Sequence, residues 1–163
     1  MEFRRATKAD VEAFVDVRIE FVTQIRTIAH VDDFRARTLE YLTDHIETDE
    51  LFVYLALEDG EIVSSCMASL YQTPPVPSCR TGRTAELLNV YTKQEFRRRG
   101  IAEQLIRMLF TQLQARGVEK VLLDYTEDGL PLYQKLGFTV LPHQMELKLP
   151  LTRVLVVHDH IDL

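Results

Sequence analysis

The chain has 163 residues, a length that suits one domain with one hydrophobic core. Lys and Arg total 19 against 25 Asp and Glu, and the net charge of −6 argues against a nucleic-acid partner, which needs a broad basic face. No apolar run reaches the ~18 residues of a membrane span, so a membrane is not an expected partner either. Cys66 and Cys79 lie apart, without metal-ligand spacing or a secretory signal ahead of them, which predicts reduced thiols in the cytoplasm.

The N-terminal segment predicts a short strand followed by two helices. "MEFRRAT" has the composition of a strand, and Thr7 with Asp10 resembles a capping box at the start of the first helix. The apolar residues at helical spacing in this helix are Val11, Phe14, Val15, Phe21, Val22, Ile25 and Ile28. A second helix is expected with Asp32 or Asp33 as its cap. Its apolar side comprises Phe34, Leu39, Leu42 and Ile46.

Three strands are predicted in the middle of the chain. "LFVYLAL" and "EIVSSCMASLYQ" are apolar and rich in β-branched residues, and the Glu58-Asp59-Gly60 sequence between them is typical of a hairpin. Residues 73–83 contain prolines and glycine, which favour an exposed loop long enough to border a substrate site. "AELLNVYT" then predicts the third of these strands.

The C-terminal third alternates helices and strands. A helix is expected from Gly100 to Arg116 with Gly117 as its C-terminal cap, followed by a strand at "KVLLDYT" and a short helix that begins near Pro131. "FTVLP" and "QMELKL" predict a closing strand pair. We therefore expect one mixed α/β domain over residues 1–150, and an apolar tail, residues 151–163, that adds a strand or packs on a second copy in a homodimer.

Three consecutive arginines, Arg97, Arg98 and Arg99, precede Gly100 at the predicted strand-to-helix turn. A glycine that opens a helix after a strand leaves free backbone amides that point toward a bound anion, and Ala102 keeps the backbone open to close approach. The arginines then add charge for a second phosphate group. The alternative is a solvated, charged loop. Neither the G-x-x-x-x-G-K motif nor G-x-G-x-x-G is present, so a nucleotide hydrolase and a dinucleotide oxidoreductase are not supported.

The segments "VYTKQEFRRRGIA" and "YTEDGLPLYQKLGF", separated by an amphipathic helix, resemble the two signature segments of the GNAT superfamily of acyl-CoA-dependent N-acetyltransferases. The family's cofactor motif has Arg or Gln, two residues, Gly, one residue, and then Gly or Ala. Residues 97–102 match it. The resemblance extends to about Leu149. It implies a mixed, mainly antiparallel sheet flanked by helices, with acetyl-CoA as co-substrate and no metal.

The resemblance also implies where acetyl-CoA binds. In the family, backbone groups of the strand that ends in "NVYT" pair with the pantetheine arm; the matching residues here are Leu88, Asn89, Val90 and Thr92. The pyrophosphate then lies on the backbone amides of Arg98, Arg99, Gly100, Ile101 and Ala102. The side chain of Arg97 either reaches a phosphate or faces solvent.

Two candidate catalytic residues follow from the same resemblance. Tyr133 matches a position where the family often has a tyrosine near the cofactor sulfur, so its phenol is a candidate general acid; the alternative is a residue of the core. Glu86 is a candidate general base, or an exposed carboxylate at the start of a strand. The amide of Val90 is the expected donor to the oxyanion. Many members have an asparagine after the fifth strand where this chain has Thr126, Glu127 and Asp128, which leaves only backbone contacts from Gly129 there.

The expected activity is acetyl transfer to a primary amine of a small molecule or peptide, by direct attack in a ternary complex. The acceptor is expected between the two N-terminal helices, their connection at residues 30–33, and the 73–83 loop. An acidic chain favours a cationic acceptor. The alternative function is a non-catalytic acyl-CoA sensor. His158, Asp159 and His160 suggest a solvated tail rather than a metal site.

Overall fold

The structure is a computed structural model that describes residues 1–150. The elements in chain order are β1 (Glu2–Arg5), α1 (Val11–Ile25), α2 (Val31–His45), β2 (Leu51–Glu58), β3 (Glu61–Gln72), β4 (Arg83–Thr92), α3 (Ile101–Ala115), β5 (Lys120–Leu122) and α4 (Leu130–Lys135). Short 3-10 turns at Lys8–Asp10 and Gln94–Phe96 precede α1 and α3. The predicted order of elements is confirmed as far as α4.

The five strands within residues 1–150 form one sheet in the order β1-β2-β3-β4-β5. The first four strands pair antiparallel, and β5 runs parallel to β4. The predicted turn between β2 and β3 has φ of 51° at Asp59 and 80° at Gly60, the left-handed pair typical of a tight two-residue hairpin. The mixed, mainly antiparallel sheet is thus the fold class that the sequence predicted.

Helices cover both faces of the sheet because its central strands are apolar on both faces. Along β2, Val53 and Leu55 pack with α1 and α2, whereas Phe52 and Ala56 pack with α3. Successive side chains of a strand point to opposite faces, so an unbroken apolar run predicts a strand covered twice. β4 therefore lies between two helical layers, and a ligand can approach it only where its pairing is interrupted.

The N-terminal helices begin and end differently from the prediction. The amide of Thr7 donates to Asp10 Oδ2 at 2.8 Å, as the capping pattern predicted. α1 ends at Ile25, so the expected continuation to Ile28 is wrong. His30 is the N-cap of α2, and its carbonyl accepts the first helical hydrogen bond. Asp32 and Asp33 instead occupy the first turn of α2. Carboxylates there interact favourably with the positive end of the helix dipole.

Gly117 ends α3 as predicted. Its φ is 73°, its amide donates to the Gln114 carbonyl at 3.0 Å, and the Val118 amide donates to the Leu113 carbonyl at 3.1 Å. These paired bonds define a Schellman motif, which requires a left-handed residue after the helix. The turn directs the chain back along the sheet into β5.

The predicted closing strands "FTVLP" and "QMELKL" are wrong for the part of the chain that the structure describes, since residues 138–150 form no strand. Apolar alternation stabilises a strand only when a neighbour pairs with it, and among residues 1–150 the ladder of β5 involves β4 alone. The predicted tail at residues 151–163 lies outside the described residues. Through residue 150, no helix is both long and apolar enough to cross a membrane.

Candidate active site

A bulge interrupts β4 at the centre of the sheet. Leu88 lies opposite Met67 and Tyr91 opposite Ser65, so Asn89 and Val90 together face the single residue between them on β3. Asn89 has φ of 50° and is buried. An extra residue on one strand turns its neighbours' backbone groups out of the ladder, which frees them for a ligand. Such a backbone conformation in a non-glycine residue is uncommon and concentrates at functional sites.

β4 and β5 pair over only three positions and then diverge. The last paired residues are Glu86 and Leu122. A groove of about 690 Å³ opens beside β5, lined by residues of β4, β5, α3, α4 and the segment after α4. Tyr133 and Glu86 both line this groove. The structure thus brings the two predicted catalytic residues to the same cavity, next to a strand edge that an extended ligand can complete.

The predicted anion cradle lies between β4 and α3. Six consecutive backbone amides, from Arg98 through Glu103, donate to no atom of residues 1–150. The first helical hydrogen bond runs from the Gln104 amide to the Gly100 carbonyl at 3.0 Å. Arg98 and Gly100 have φ of 60° and 73°, and such left-handed residues fold successive amides into a concave donor surface. Free amides at a helix start favour a phosphate group.

The three arginine side chains do not share one role. The Arg97 side chain donates to the Thr92 carbonyl at 2.9 Å, and its guanidinium lies 5.9 Å from the centre of the Tyr91 ring. Arg99 donates to the Glu95 carbonyl at 2.8 Å and lies over Phe96. The Arg98 side chain is exposed and contacts no acceptor in the described residues. Only Arg98 therefore keeps all its side-chain donors available.

The other predicted cofactor-binding residues offer their backbone rather than their side chains. Leu88 packs toward α1 and α2, Val90 packs toward α3, and Ile101, the first residue of α3, is buried in the core. The Thr92 hydroxyl lies 2.8 Å from the Ser64 hydroxyl. The small side chain of Ala102 is half-buried. Among the main-chain groups of these residues, the Thr92 carbonyl accepts from Arg97 at 2.9 Å and the Asn89 carbonyl accepts from the Ser65 hydroxyl at 3.3 Å.

Tyr133 is 9% exposed and packs edge-to-face on Phe138, with the ring centres 5.8 Å apart. Burial raises the pKa of Tyr133 to about 12, and the nearby Cys66 thiol adds to the increase. The phenol thus holds its proton at neutral pH. Gly129 packs directly against the ring: a Cβ on this glycine would lie 2.9 Å from Tyr133 Cε2. The Gly129 backbone was predicted to be available for a ligand, but its amide donates to the Thr126 carbonyl at 3.0 Å and its carbonyl accepts from the Tyr133 amide at 3.2 Å.

Glu86 is half-buried on β4, opposite Ser69 of β3 and Leu122 of β5. Its charge acts on Tyr71, whose pKa is raised chiefly by burial and further by this carboxylate. The Tyr41 hydroxyl of α2 contacts Ser69 at 3.1 Å. Glu86 thus lies at the last paired position of β4 and β5, opposite the β3 residue that Tyr41 of α2 contacts.

A polar cluster that the sequence reasoning missed supports the bulge from the α1 side. Arg18 Nη1 donates to Asn89 Oδ1 at 3.1 Å, and Asn89 Nδ2 donates to Ser65 Oγ at 3.1 Å. The available signal was a gap in the apolar stripe of α1, since Arg18 occupies the position between Phe14 and Phe21 where the helical spacing calls for an apolar residue.

A second link joins α1 to β4 beyond the bulge. The Tyr91 hydroxyl donates to Glu20 Oε1 at 2.6 Å and accepts from Gln24 Nε2 at 3.0 Å. Burial, together with the Glu20 hydrogen bond, raises the pKa of Tyr91. These contacts hold the C-terminal half of α1 against the strand.

No group of three or more His, Cys, Asp or Glu side chains is placed to bind a metal within residues 1–150. His158, Asp159 and His160, for which a solvated tail rather than a metal site was predicted, lie outside the described residues.

The sequence profile of the acetyltransferase (GNAT) family matches residues 19–138, well over half of the chain. The match contains the β4 bulge, the amide cradle and Tyr133. The chain therefore belongs to the GNAT acetyltransferase family, as the resemblance in the sequence implied.

Among curated proteins, the chain is similar to the glucosamine 6-phosphate N-acetyltransferase of Trypanosoma brucei brucei, with 37% identity over 91 residues. The aligned segment is 55% of this chain and 59% of that enzyme. The chain thus spans about three fifths of the length of the curated relative that it matches.

Solved structures share the fold. A predicted acetyltransferase from Clostridium acetobutylicum, solved with acetyl-CoA, has a TM-score of 0.83 at 23% identity, covering 90% of this chain and 95% of that one. The aminoglycoside N-acetyltransferase AAC(6′)-Iy, solved with a bisubstrate analogue of CoA and acetylneamine, has a TM-score of 0.73 at 21% identity, with coverage of 92% and 98%. At these identities the likeness shows the fold alone.

Proposed function

We propose that this chain is an N-acetyltransferase that moves an acetyl group from acetyl-CoA to a primary amine by direct attack in a ternary complex. The arrangement around β4 carries the proposal: its pairing with β5 stops at Glu86, the groove that opens there is lined by the buried Tyr133, and the amide cradle follows its C-terminal end. Family membership supports it, since acyl transfer is what the family's description names.

The residues present fit acetyl-CoA. The backbone of Leu88, Asn89, Val90 and Thr92 lies on the part of β4 beyond its pairing with β5 and suits an extended pantetheine arm, with the Thr92 carbonyl engaged by Arg97 and the Asn89 carbonyl by Ser65. The amides of residues 98–102, with Gly100 at their centre, suit the pyrophosphate. Arg98 adds a charge at the rim. Burial of the Ile101 side chain anchors the cradle to the core.

Acetyl-CoA supplies the reactive thioester, whose carbonyl carbon forms a bond with the amine nitrogen while its carbon–sulfur bond breaks. The Glu86 carboxylate accepts the proton that the amine nitrogen loses, directly or through one water. The Val90 amide donates to the oxygen that becomes negative. The Tyr133 hydroxyl donates a proton to the sulfur that leaves. The phenol is protonated at neutral pH and so can act as this donor.

The acceptor is a small molecule or a peptide with a primary amine. The curated relative acts on glucosamine 6-phosphate, which carries an amine and a phosphate; the aminoglycoside enzyme binds a neamine derivative, which carries several amines. We place the acceptor on the α1 and α2 side of β4, between the half-buried Glu86 and the bulge at the buried Asn89.

Calorimetric titration with acetyl-CoA, followed by thiol release on a panel of amines, tests the proposal. Saturable binding with release on at least one amine is the expected result. Binding without release on any amine contradicts the transferase and favours an acyl-CoA sensor. Absence of binding would overturn the cradle assignment.

We further propose that the chain forms a homodimer by strand pairing. We also propose that it is located in the reducing cytoplasm. Within the described residues the outer edge of β5 is unpaired, and Met145, Leu147 and Leu149 alternate at 100%, 82% and 80% exposure. The free, buried Cys66 and Cys79 suit a reducing compartment. Sedimentation tests the dimer, and Leu147→Glu should yield monomers. A chain truncated after Pro150 that still sediments as a dimer would refute a role for the tail, residues 151–163.

A further inference from the structure

Arg18 lies on the acceptor side of the bulge, in the middle of α1. Its guanidinium donates to Asn89 Oδ1 at 3.1 Å and lies 5.8 Å from the centre of the Phe34 ring of α2. Burial lowers the pKa of Arg18 below its ordinary value, although an arginine stays charged at any physiological pH. A positive charge thus sits among α1, α2 and the bulge, beside the backbone at which transfer is proposed.

Five arginines are half-buried in residues 1–150, and Arg18 differs from the other four. Those four donate to carboxylates or backbone carbonyls: Arg4 to Asp10, Arg5 to the carbonyls of Thr48 and Leu51, Arg35 to Asp16 and Glu12, and Arg116 to Asp49. Arg18 donates only to the neutral amide oxygen of Asn89, and no carboxylate of the described chain pairs with it. Most of its donors are therefore unused.

A half-buried cation without an anionic partner is unfavourable, because desolvation costs free energy that no counter-charge offsets. α1 would gain stability from an apolar residue at this position, since the flanking Phe14 and Val15 are fully buried. The positive charge at this position therefore points to a ligand whose anionic group pairs with Arg18. The same argument opposes a purely cationic acceptor, which the net charge of the chain had favoured.

We propose that Arg18 is a specificity-determining residue that binds an anionic group, a phosphate or a carboxylate, on an acceptor that also carries the primary amine. This inference rests on the proposed transferase function. The planar guanidinium suits the paired oxygens of either group. Asn89 orients the guanidinium from one side, because Ser65 holds the amide in a fixed orientation.

Matched amines that differ only in the anionic group test the inference. Ethanolamine is compared with O-phosphoethanolamine, glucosamine with glucosamine 6-phosphate, and glycinamide with glycine, by thiol release with acetyl-CoA. The anionic member of a pair should have the higher kcat/KM. Arg18→Gln should lower kcat/KM for that member about 10- to 100-fold, mainly through KM, and leave the neutral member nearly unchanged. Preference for the phosphates or for the glycine identifies the group.

Arg18→Lys and Arg37→Gln are the companion variants. Lysine keeps the charge and should restore part of the preference, whereas Arg37 pairs with Asp33 on the exposed side of α2 and its loss should change neither member. An equal loss for neutral and anionic amines would assign Arg18 to bracing the bulge and overturn the inference. If Arg18→Gln does not fold, the wild-type protein tests the inference. Its kcat/KM ratio for anionic over neutral amines should fall in high salt, and a ratio that does not change would contradict the anion site.

Binding separates failure of this inference from failure of the proposed function. Calorimetry of O-phosphoethanolamine with the CoA-bound protein needs no turnover. Binding that Arg18→Gln weakens supports the anion site even if no amine is acetylated, which would contradict only the transferase. Turnover of neutral and anionic amines at equal kcat/KM would contradict only the anion site.

Discussion

The two sides of β4 differ in what holds them together. On the α3 side, the cradle and the turn into β5 depend on residues close in sequence: the hydrogen bonds of Arg97 and Arg99 each span four or five positions. On the α1 side, the contacts of Asn89 with Arg18 and of Tyr91 with Glu20 both span 71 positions. The first side is built by local backbone geometry, the second by tertiary packing.

In the proposed function, the α3 side of β4 (the cofactor side) binds acetyl-CoA and the α1 side (the acceptor side) binds the amine. Acetyl-CoA would be bound mainly by main-chain amides, which any sequence with the right turn can present. The acceptor would be bound by side chains such as Arg18 and Glu86, which differ more readily between sequences. Perturbing the cofactor side should therefore affect every acceptor alike, and perturbing the acceptor side should affect acceptors selectively.

Tyr133→Phe should have the largest effect. Removing the phenol proton should lower kcat about 10²- to 10⁴-fold for every amine, while the Kd for acetyl-CoA stays within about twofold, because general acids contribute on this scale and the ring remains packed on Phe138. Thiol-release kinetics and calorimetry measure the two quantities. Tyr125, which lines the same groove and is exposed, is the matched control as Tyr125→Phe. Unchanged kcat in Tyr133→Phe would remove the residue from the mechanism.

The local turns could be predicted because they are encoded in neighbouring residues. Gly117 on the cofactor side, and the Asp59-Gly60 turn between β2 and β3, need left-handed backbone that few residues adopt, so their positions follow from the sequence. Gly100 marks the cradle for the same reason.

The rest depends on long-range contacts. No local pattern shows that Arg18 meets Asn89 or that Tyr133 and Glu86 line one groove. The predicted strands after Phe138 failed on the same ground, since a strand requires a partner that the segment itself does not specify.

Gly129→Ala should reduce turnover through the position of Tyr133 alone. Gly129 has φ of −83° and ψ of −21°, which alanine adopts without strain, so the 2.9 Å contact with the ring is the only conflict. A displaced phenol should lower kcat about 10- to 100-fold for all amines, again with little change in acetyl-CoA affinity. Asp128→Ala, at the exposed neighbouring position, should change kcat less than about twofold. Equal kcat for Gly129→Ala and wild type would mean that the phenol need not be placed accurately.

Asp10→Asn probes how firmly α1, and with it the acceptor side, is anchored. Arg4 donates to both carboxylate oxygens at 2.7 and 2.8 Å, and this hydrogen-bonded pair holds the pKa of Asp10 below its ordinary value of 3.8. A depressed pKa contributes stability above the ordinary value and loses it as pH falls through the folded value. Urea unfolding should show Asp10→Asn less stable by about 1–2 kcal/mol at pH 7. The difference should disappear in acid; a difference that persisted there would exclude the ion pair as its cause.

The arginine run gives the smallest expected effect and the sharpest comparison within the cofactor side. Arg98→Ala should raise the Kd for acetyl-CoA about 3- to 10-fold at low salt and less at high salt, because its exposed guanidinium is free for a phosphate and screening weakens that attraction. Arg99→Ala, the adjacent control, should raise it less than about twofold, since that side chain is bound to the Glu95 carbonyl. Calorimetry at two salt concentrations measures both. If both variants raise the Kd equally, Arg99 must leave the Glu95 carbonyl to bind a phosphate. If neither variant changes the Kd, the backbone amides alone form the anion site.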